Sequence, residues 1–418
     1  MDIQVKKMNK YNTVFRPAEI LLPNFSTDPD RMTRWAVIAC DQYTSERSYW
    51  EDCVRLIDGS PSAYDYILPE AYLGTELEAV HSREIDENMK RLDTDTLDMV
   101  NGMIYLERTV EGGAIRHGLI GKLDLEAYDY SRSSASIVRA TEETVLSRIP
   151  PRCRVRASAT IELPHILILV EDDSFLGRVA ERLTDDSLVY DFELMKNGGH
   201  VTGRRVEGEA LAALMRDIAE YEGTHSDLAY AMGDGNHSLA AAKAHWENVK
   251  AETGDMEHPA RFALCEITSL TDSSLTFHPI YRILKSCDPT DVLSELSKLT
   301  VQTSDEHAPD TVTAVTANER LALTFTEPEH ALTIGTLQCF IDRYIAAHPE
   351  TTCDYIHGED KLLALAREEN SIGFLTDVMD KSELFPYVKK HGTLPRKTFS
   401  MGEADSKRYY LEARRIVK

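Results

Sequence analysis

The chain has 418 residues, 42% hydrophobic and 28% charged, and 46 Lys+Arg against 70 Asp+Glu give a net charge of −24. That length suits two domains or one large α/β unit with insertions. So acidic a surface excludes nucleic acid as a partner, and the lack of any run near ~18 apolar residues excludes a membrane span.

The start, MDIQVKKMNKYNTVF, lacks the apolar stretch of a signal peptide, so a cytoplasmic location is expected. Seven cysteines (40, 53, 153, 265, 287, 339, 353) are scattered and never form a CxxC pair. That spacing fits neither a disulfide framework nor a structural zinc site and implies reduced, mostly buried thiols.

Taken in order, residues 35–40 read as a short buried strand, left by the polar run Asp41-Gln-Tyr-Thr-Ser-Glu46. Residues 102–108 and 116–123 read as strands around the turn Glu111-Gly112-Gly113. Residues 141–147 read as a helix, 161–170 as one long apolar strand, and 196–200 as a turn where a new unit starts. The stripe Leu211, Leu214, Met215 and Ile218 marks an amphipathic helix over 206–221.

Strand 228–232, helix 237–250 and strand 262–270 follow, with a strand at 275–277 leading into His278-Pro-Ile-Tyr281-Arg282. The tail alternates helix 334–347, strand 353–356, helix 360–369, strand 372–375 and helix 382–390. The stretch 394–403 breaks the pattern as a polar, basic loop. Such alternation predicts an α/β fold, mixed α+β in detail, with an N-terminal part over 1–200 and a catalytic part over 201–418.

The sharpest chemical signal is Gly233-Asp234-Gly235-Asn236-His237-Ser238, where a strand hands over to a helix. Two glycines let the backbone approach a ligand, and the helix start offers N–H groups and a positive dipole end to a phosphate. His237 can donate to a phosphoryl oxygen, and Asp234 can hold Mg²⁺ or accept a proton. An ordinary turn capped by Asp and Asn would show the same residues.

A second candidate is Arg396-Lys397 with Ser400, suited to a phosphate or carboxylate. A third is Arg139 with Glu142, followed by Arg148, Arg152, Arg154 and Arg156 in an otherwise acidic chain. A fourth is Asp41 or Glu46, leaving a strand end as general base or as a helix cap. Tyr281 and Arg282 complete the set. No GxxxxGK[ST], Rossmann GxGxxG, HExxH or GxSxG occurs.

Arg116-His-Gly-Leu-Ile120, Ile137-Val-Arg139 with Glu142, Gly198-Gly199, Gly233-Asp-Gly-Asn-His-Ser238, Pro279-Ile-Tyr-Arg282 and Lys397-Thr-Phe-Ser400 resemble domain-of-unknown-function family 1015 along nearly the whole chain. The usual family form has Asp-Gly-His-His-Arg where Asp234-Gly-Asn-His-Ser238 stands, which marks a divergent branch. That element is also similar to the phosphate-binding signature of the ParB and sulfiredoxin-like superfamily, which includes kinases of free serine.

The resemblance implies a ParB/sulfiredoxin-like catalytic part with additional α/β layers. It implies a phosphotransferase linking serine and O-phosphoserine, with pyrophosphate or a nucleotide as phosphoryl partner and Mg²⁺ as cofactor. An O-phosphoserine phosphatase and a non-enzymatic sensor of a phosphorylated metabolite are the alternatives, and a homodimer is left open.

Overall fold

The computed structural model describes residues 12–91 and 96–418, so the first eleven residues of the N-terminal stretch read above lie outside it. The described chain forms two compact units, one built from the residues up to Leu275 together with Gly402–Lys418, the other from Thr276–Met401.

Thirteen strands run through the described part of the first unit before Leu275. They are β1 Phe15–Arg16, β2 Ala18–Pro23, β3 Val37–Ile38, β4 Leu97–Thr109, β5 Ile115–Asp124, β6 Tyr128–Asp129, β7 Val138–Arg139, β8 Ile161–Glu162, β9 Leu167–Val170, β10 Leu188–Glu193, β11 His200–Val206, β12 Tyr230–Asp234 and β13 Phe262–Ser269. Eleven join in one mixed sheet, in the order β10-β11-β4-β5-β13-β9-β12-β7-β6, with β1 beside β5 and β2 beside β4. The pairs β12–β7, β13–β9 and β6–β7 are parallel. The remaining two strands pair with the carboxy-terminal tail, β3 with Tyr409–Tyr410 and β8 with Arg414–Arg415.

Side chains alternate across a strand, so this sheet feeds two cores. Ile104 and Leu106 of β4, Ile120 of β5 and Leu264 of β13 enter one core. Met103, Tyr105, Leu119, Leu123, Cys265 and Ile267 enter the other. All eight residues of β13, FALCEITS, are buried, as expected of a strand covered on both faces.

The helices Gly208–Thr224 and Asn236–Thr253 cover one face with Leu211, Leu214, Met215, Ile218, Leu239 and Trp246. The helices Pro29–Trp35, Arg47–Ile57 and Glu78–Arg91 and the tail cover the other with Trp35, Trp50, Met89 and Tyr409 to Leu411.

The second unit is an antiparallel sheet in the order Thr300–Thr303, Arg320–Phe325, Thr311–Val315, Ser371–Leu375, Phe277–Lys285, Thr352–His357, with Phe399–Met401 paired to the start of Phe277–Lys285. Helix Thr333–Ala347 packs Leu337, Phe340 and Ile341 against Val312 and Phe374. Helix Glu359–Leu365 contributes Leu362 to a separate cluster with Ile283, Val315 and Ile356.

The α/β class matches expectation, as do in kind the elements expected between 206 and 270 and between 334 and 390, and five details differ. The division expected at 200 falls on the first residue of β11, which pairs along its length with β4 inside one sheet. Residues 141–145 are not helical, and Leu146–Arg148 form a single 3-10 turn. The helix starts at Ile149 with proline in its first turn, where the missing N–H breaks no hydrogen bond within the helix.

The expected strand 35–40 shrinks to β3, because Trp35 closes the preceding helix. The expected strand 161–170 is split into β8 and β9 around Pro164. Finally, residues 278–282 lie inside the strand Phe277–Lys285 rather than beyond a strand end.

Candidate functional site

β12 ends at Asp234, and Gly235 turns the chain into the helix Asn236–Thr253. Gly235 has φ +81°, and a Cβ there would stand 3.2 Å from the Ile166 Cα, so only glycine fits without strain. No side chain caps this helix start, whose N–H groups and dipole therefore carry positive potential. Asn236 Oδ1 is buried without a hydrogen-bond partner. Gly233 and Ser238 flank the turn, half-buried.

Asp234 Oδ1 accepts a hydrogen bond from its neighbour Gly235 N (2.8 Å), and Oδ2 lies 3.4 Å from the Lys407 ammonium. Lys407 is 13% exposed and Asp234 26%. Burial works to raise the Asp234 carboxyl, but Lys407, the His165 ring and the Gly235 N–H outweigh it and hold the group below the usual carboxylate range.

His165 leads from the loop before β9 to a second set of groups. Its Nδ1 is 2.9 Å from the Tyr410 hydroxyl, which is 3.0 Å from the Cys40 thiol. Burial, with Asp41 adding to it, pushes the Cys40 thiol up to about 12, which leaves it protonated and inert as a nucleophile. Asp41 follows Cys40 in the chain, and its Oδ1 is buried without a hydrogen-bond partner. Glu70, whose N–H donates to the Cys40 carbonyl, is ion-paired with Arg152.

The other sequence candidates divide into two groups. Arg139 and Glu142 run beside the turn, because β7 pairs in parallel with β12 and the Thr141 hydroxyl donates to the Met232 carbonyl. The Arg139 guanidinium is spent on the carbonyls of Ser136 and Asp227 and is 8% exposed. His237 Nε2 accepts from Val145 N (3.3 Å), so the ring carries its proton on Nδ1. Glu46 is exposed at the start of the helix Arg47–Ile57, without a capping bond.

Tyr281, Arg282, Arg396, Lys397 and Ser400 belong to the second unit. There Arg282 is fully buried and donates to the carbonyls of Ile280, Lys397 and Arg396 and to Gln338. Arg396 binds Tyr355 Oη and Asp342, both at 2.7 Å. Lys397 is exposed with φ +56°, and Ser400 lies on the strand Phe399–Met401.

Sequence reasoning did not single out Lys407, His165, Tyr410 or Glu70. The tail carries no motif. Its one local signal is Lys407-Arg408-Tyr-Tyr410, a basic pair followed by an aromatic pair, which the interior of the first unit takes up.

Mg²⁺ was expected at Asp234. Among the described residues no group of three His, Cys, Asp or Glu side chains is placed to hold a metal. Mg²⁺ is commonly held by one or two carboxylates plus phosphate oxygens, and a single Asp234 carboxylate fits that arrangement only. Among the described residues no helix is long and apolar enough to cross a membrane.

The family model described as "Protein of unknown function (DUF1015)" matches residues 21–346. No curated protein matches the chain. Among solved structures, a conserved hypothetical protein from Pyrococcus furiosus is 12% identical, covering 69% of this chain and 93% of its own with a TM-score of 0.37. A free serine kinase in complex with AMP is 12% identical over 69% of this chain and 90% of its own, TM-score 0.39. SbnI with a C-terminal truncation, from Staphylococcus aureus, is 8% identical over 68% and 82%, TM-score 0.38.

Proposed function

We propose that the chain, which belongs to the family described as Protein of unknown function (DUF1015), is a phosphotransferase acting on free L-serine or O-phosphoserine with pyrophosphate or a nucleotide as phosphoryl partner. The observation that carries the reading is a pair of buried, unpartnered acceptors, Asp41 Oδ1 and Asn236 Oδ1, in the unit that also holds Asp234 at an uncapped helix start. A buried oxygen without a donor costs ~1–3 kcal/mol, and a small substrate rich in O–H and N–H groups relieves that cost.

In this reading the helix start and His237 Nδ1–H receive phosphate oxygens, and Asp234 would hold Mg²⁺, which would neutralise phosphate charge. Asp41 takes the proton of the serine hydroxyl as the Oγ–P bond forms. The bond from that phosphorus to the bridging oxygen breaks, and the leaving group keeps the electron pair. It departs as orthophosphate from pyrophosphate, or as the shortened nucleotide. Such transfer needs positioning and charge neutralisation more than covalent help from the protein.

The test incubates the full chain with serine and Mg²⁺ and, separately, pyrophosphate, ADP or ATP, following O-phosphoserine by mass spectrometry. Product with any one donor supports the reading. Absence of product with all three overturns it.

A further inference from the structure

The carboxy-terminal tail lies beyond the residues matched by the family model, yet it is built into the first unit residue by residue. Arg108 of β4, 3% exposed, donates to the carbonyls of Gly198, Asp405, Ser406 and Lys407 at 2.6–3.1 Å. Arg116, opposite it on β5, donates to the Ser406 carbonyl as well. Arg408 pairs with Glu266 and Glu412, both fully buried, and Tyr409 donates to the Met195 carbonyl.

A guanidinium is a rigid fork, so carbonyls bound to one are fixed in direction as well as position. The backbone on both sides of Lys407 is thereby locked. Lys407 is left with its side chain 13% exposed and its ammonium at Asp234, beside the uncapped helix start. An ammonium held there adds a full charge to the partial charge of the helix end, and both have the sign that attracts phosphate.

We propose that Lys407 is the phosphate-binding cation of this site and that Arg108 is the residue that positions it. The assignment rests on the phosphotransferase reading for its ligand. Asp234 would hold Mg²⁺ where that ion accompanies the phosphate partner, and the Lys407 ammonium binds the phosphate oxygens.

The test measures pyrophosphate binding by calorimetry, with Mg²⁺ and the full chain, for wild type, Lys407→Met, Lys407→Arg, Arg108→Lys and the Lys407→Met/Arg108→Lys double variant. The KM for serine is read alongside. Lys407→Met is expected to weaken pyrophosphate by about tenfold or more while leaving the serine KM within about twofold. Lys407→Arg, which keeps the charge, should regain most of that loss.

Arg108→Lys should weaken pyrophosphate in the wild-type background and add nothing in the Lys407→Met background, the non-additivity of a residue acting through another. Wild-type affinity in Lys407→Met overturns the Lys407 assignment and leaves the phosphotransferase reading standing. Additive losses overturn the role of Arg108. A wild-type protein that binds pyrophosphate but never forms O-phosphoserine overturns the reaction and leaves Lys407 as an anion-binding residue. One that binds no phosphate compound overturns both.

Discussion

The Tyr410 hydroxyl stands 2.9 Å from Nδ1 of His165, so the carboxy-terminal tail touches the segment against which Gly235 packs. The same hydroxyl meets the Cys40 thiol, in a setting where burial raises the phenol well above its usual value. Tyr410→Phe removes these bonds without changing the ring. Each neutral bond lost costs ~1 kcal/mol, so urea unfolding should show a loss of about 1–2 kcal/mol. An unchanged midpoint would make the contact incidental.

Asp234→Asn and His237→Ala are each expected to lower serine phosphorylation by ~100-fold or more, about 3 kcal/mol of transition-state stabilisation, with the fold retained by circular dichroism. Asp234→Asn keeps the shape of the side chain but loses the charge shared with Lys407. Near-normal turnover in both would reduce the turn to a structural element.

Gly235→Ala tests the turn itself. Left-handed backbone costs a non-glycine residue roughly 1–2 kcal/mol, and here the new methyl also stands 3.2 Å from a backbone atom, Ile166 Cα, which cannot swing away. Destabilisation should exceed the backbone cost alone. Gly254, also left-handed but with nothing within 4 Å, is the matched control.

The His117 imidazole is held above its usual value chiefly by its hydrogen bond to Asp272, 3.2 Å away. Burial tends to raise the Asp272 carboxyl, but the bonds from His117 and Ser274 hold it well below the usual range. The raised His117 adds stability that is complete below about pH 6.5, its unfolded value, and fades as pH rises through the folded value. With His117 44% exposed, the effect stays under about 1 kcal/mol. Asp272→Asn should therefore cost more at about pH 5.5 than at about pH 8.5 in denaturant titrations, and a constant cost would show the pair contributes nothing.

Pyrophosphate is expected to support serine phosphorylation faster than ADP or ATP at equal concentration. The sequence holds none of the common nucleotide-binding motifs, and a small, highly charged donor needs a phosphate cradle but no base pocket. Faster product with a nucleotide would reverse the order of donors.

What could be read from the sequence was local. The turn 233–238 announces itself because glycine, aspartate and the change from strand to helix sit within six residues. The stripe on Gly208–Thr224 did the same through its periodicity, and all four of its residues are buried. The arginines show where such reading stops. Arg139 and Arg282 have the chemistry of ligand-binding groups, but their guanidiniums are occupied by main-chain carbonyls, and composition cannot distinguish a carbonyl from a phosphate. Lys407 was invisible because its meeting with Asp234 depends on how the tail returns, which no spacing records.

The second unit begins and finishes on paired strands, with Phe277 opposite Met401 and His278 opposite Ser400. Partners across an antiparallel pair are only ~5 Å apart, so the segment enters and leaves through neighbouring points of the chain. The rings of Phe277 and Phe399, stacked 3.9 Å apart, clasp those two ends together. Such a segment has the connectivity of a cassette. A gene could gain, lose or exchange it in one recombination event, and a turn of a few residues joining Leu275 to Gly402 would restore a continuous host chain.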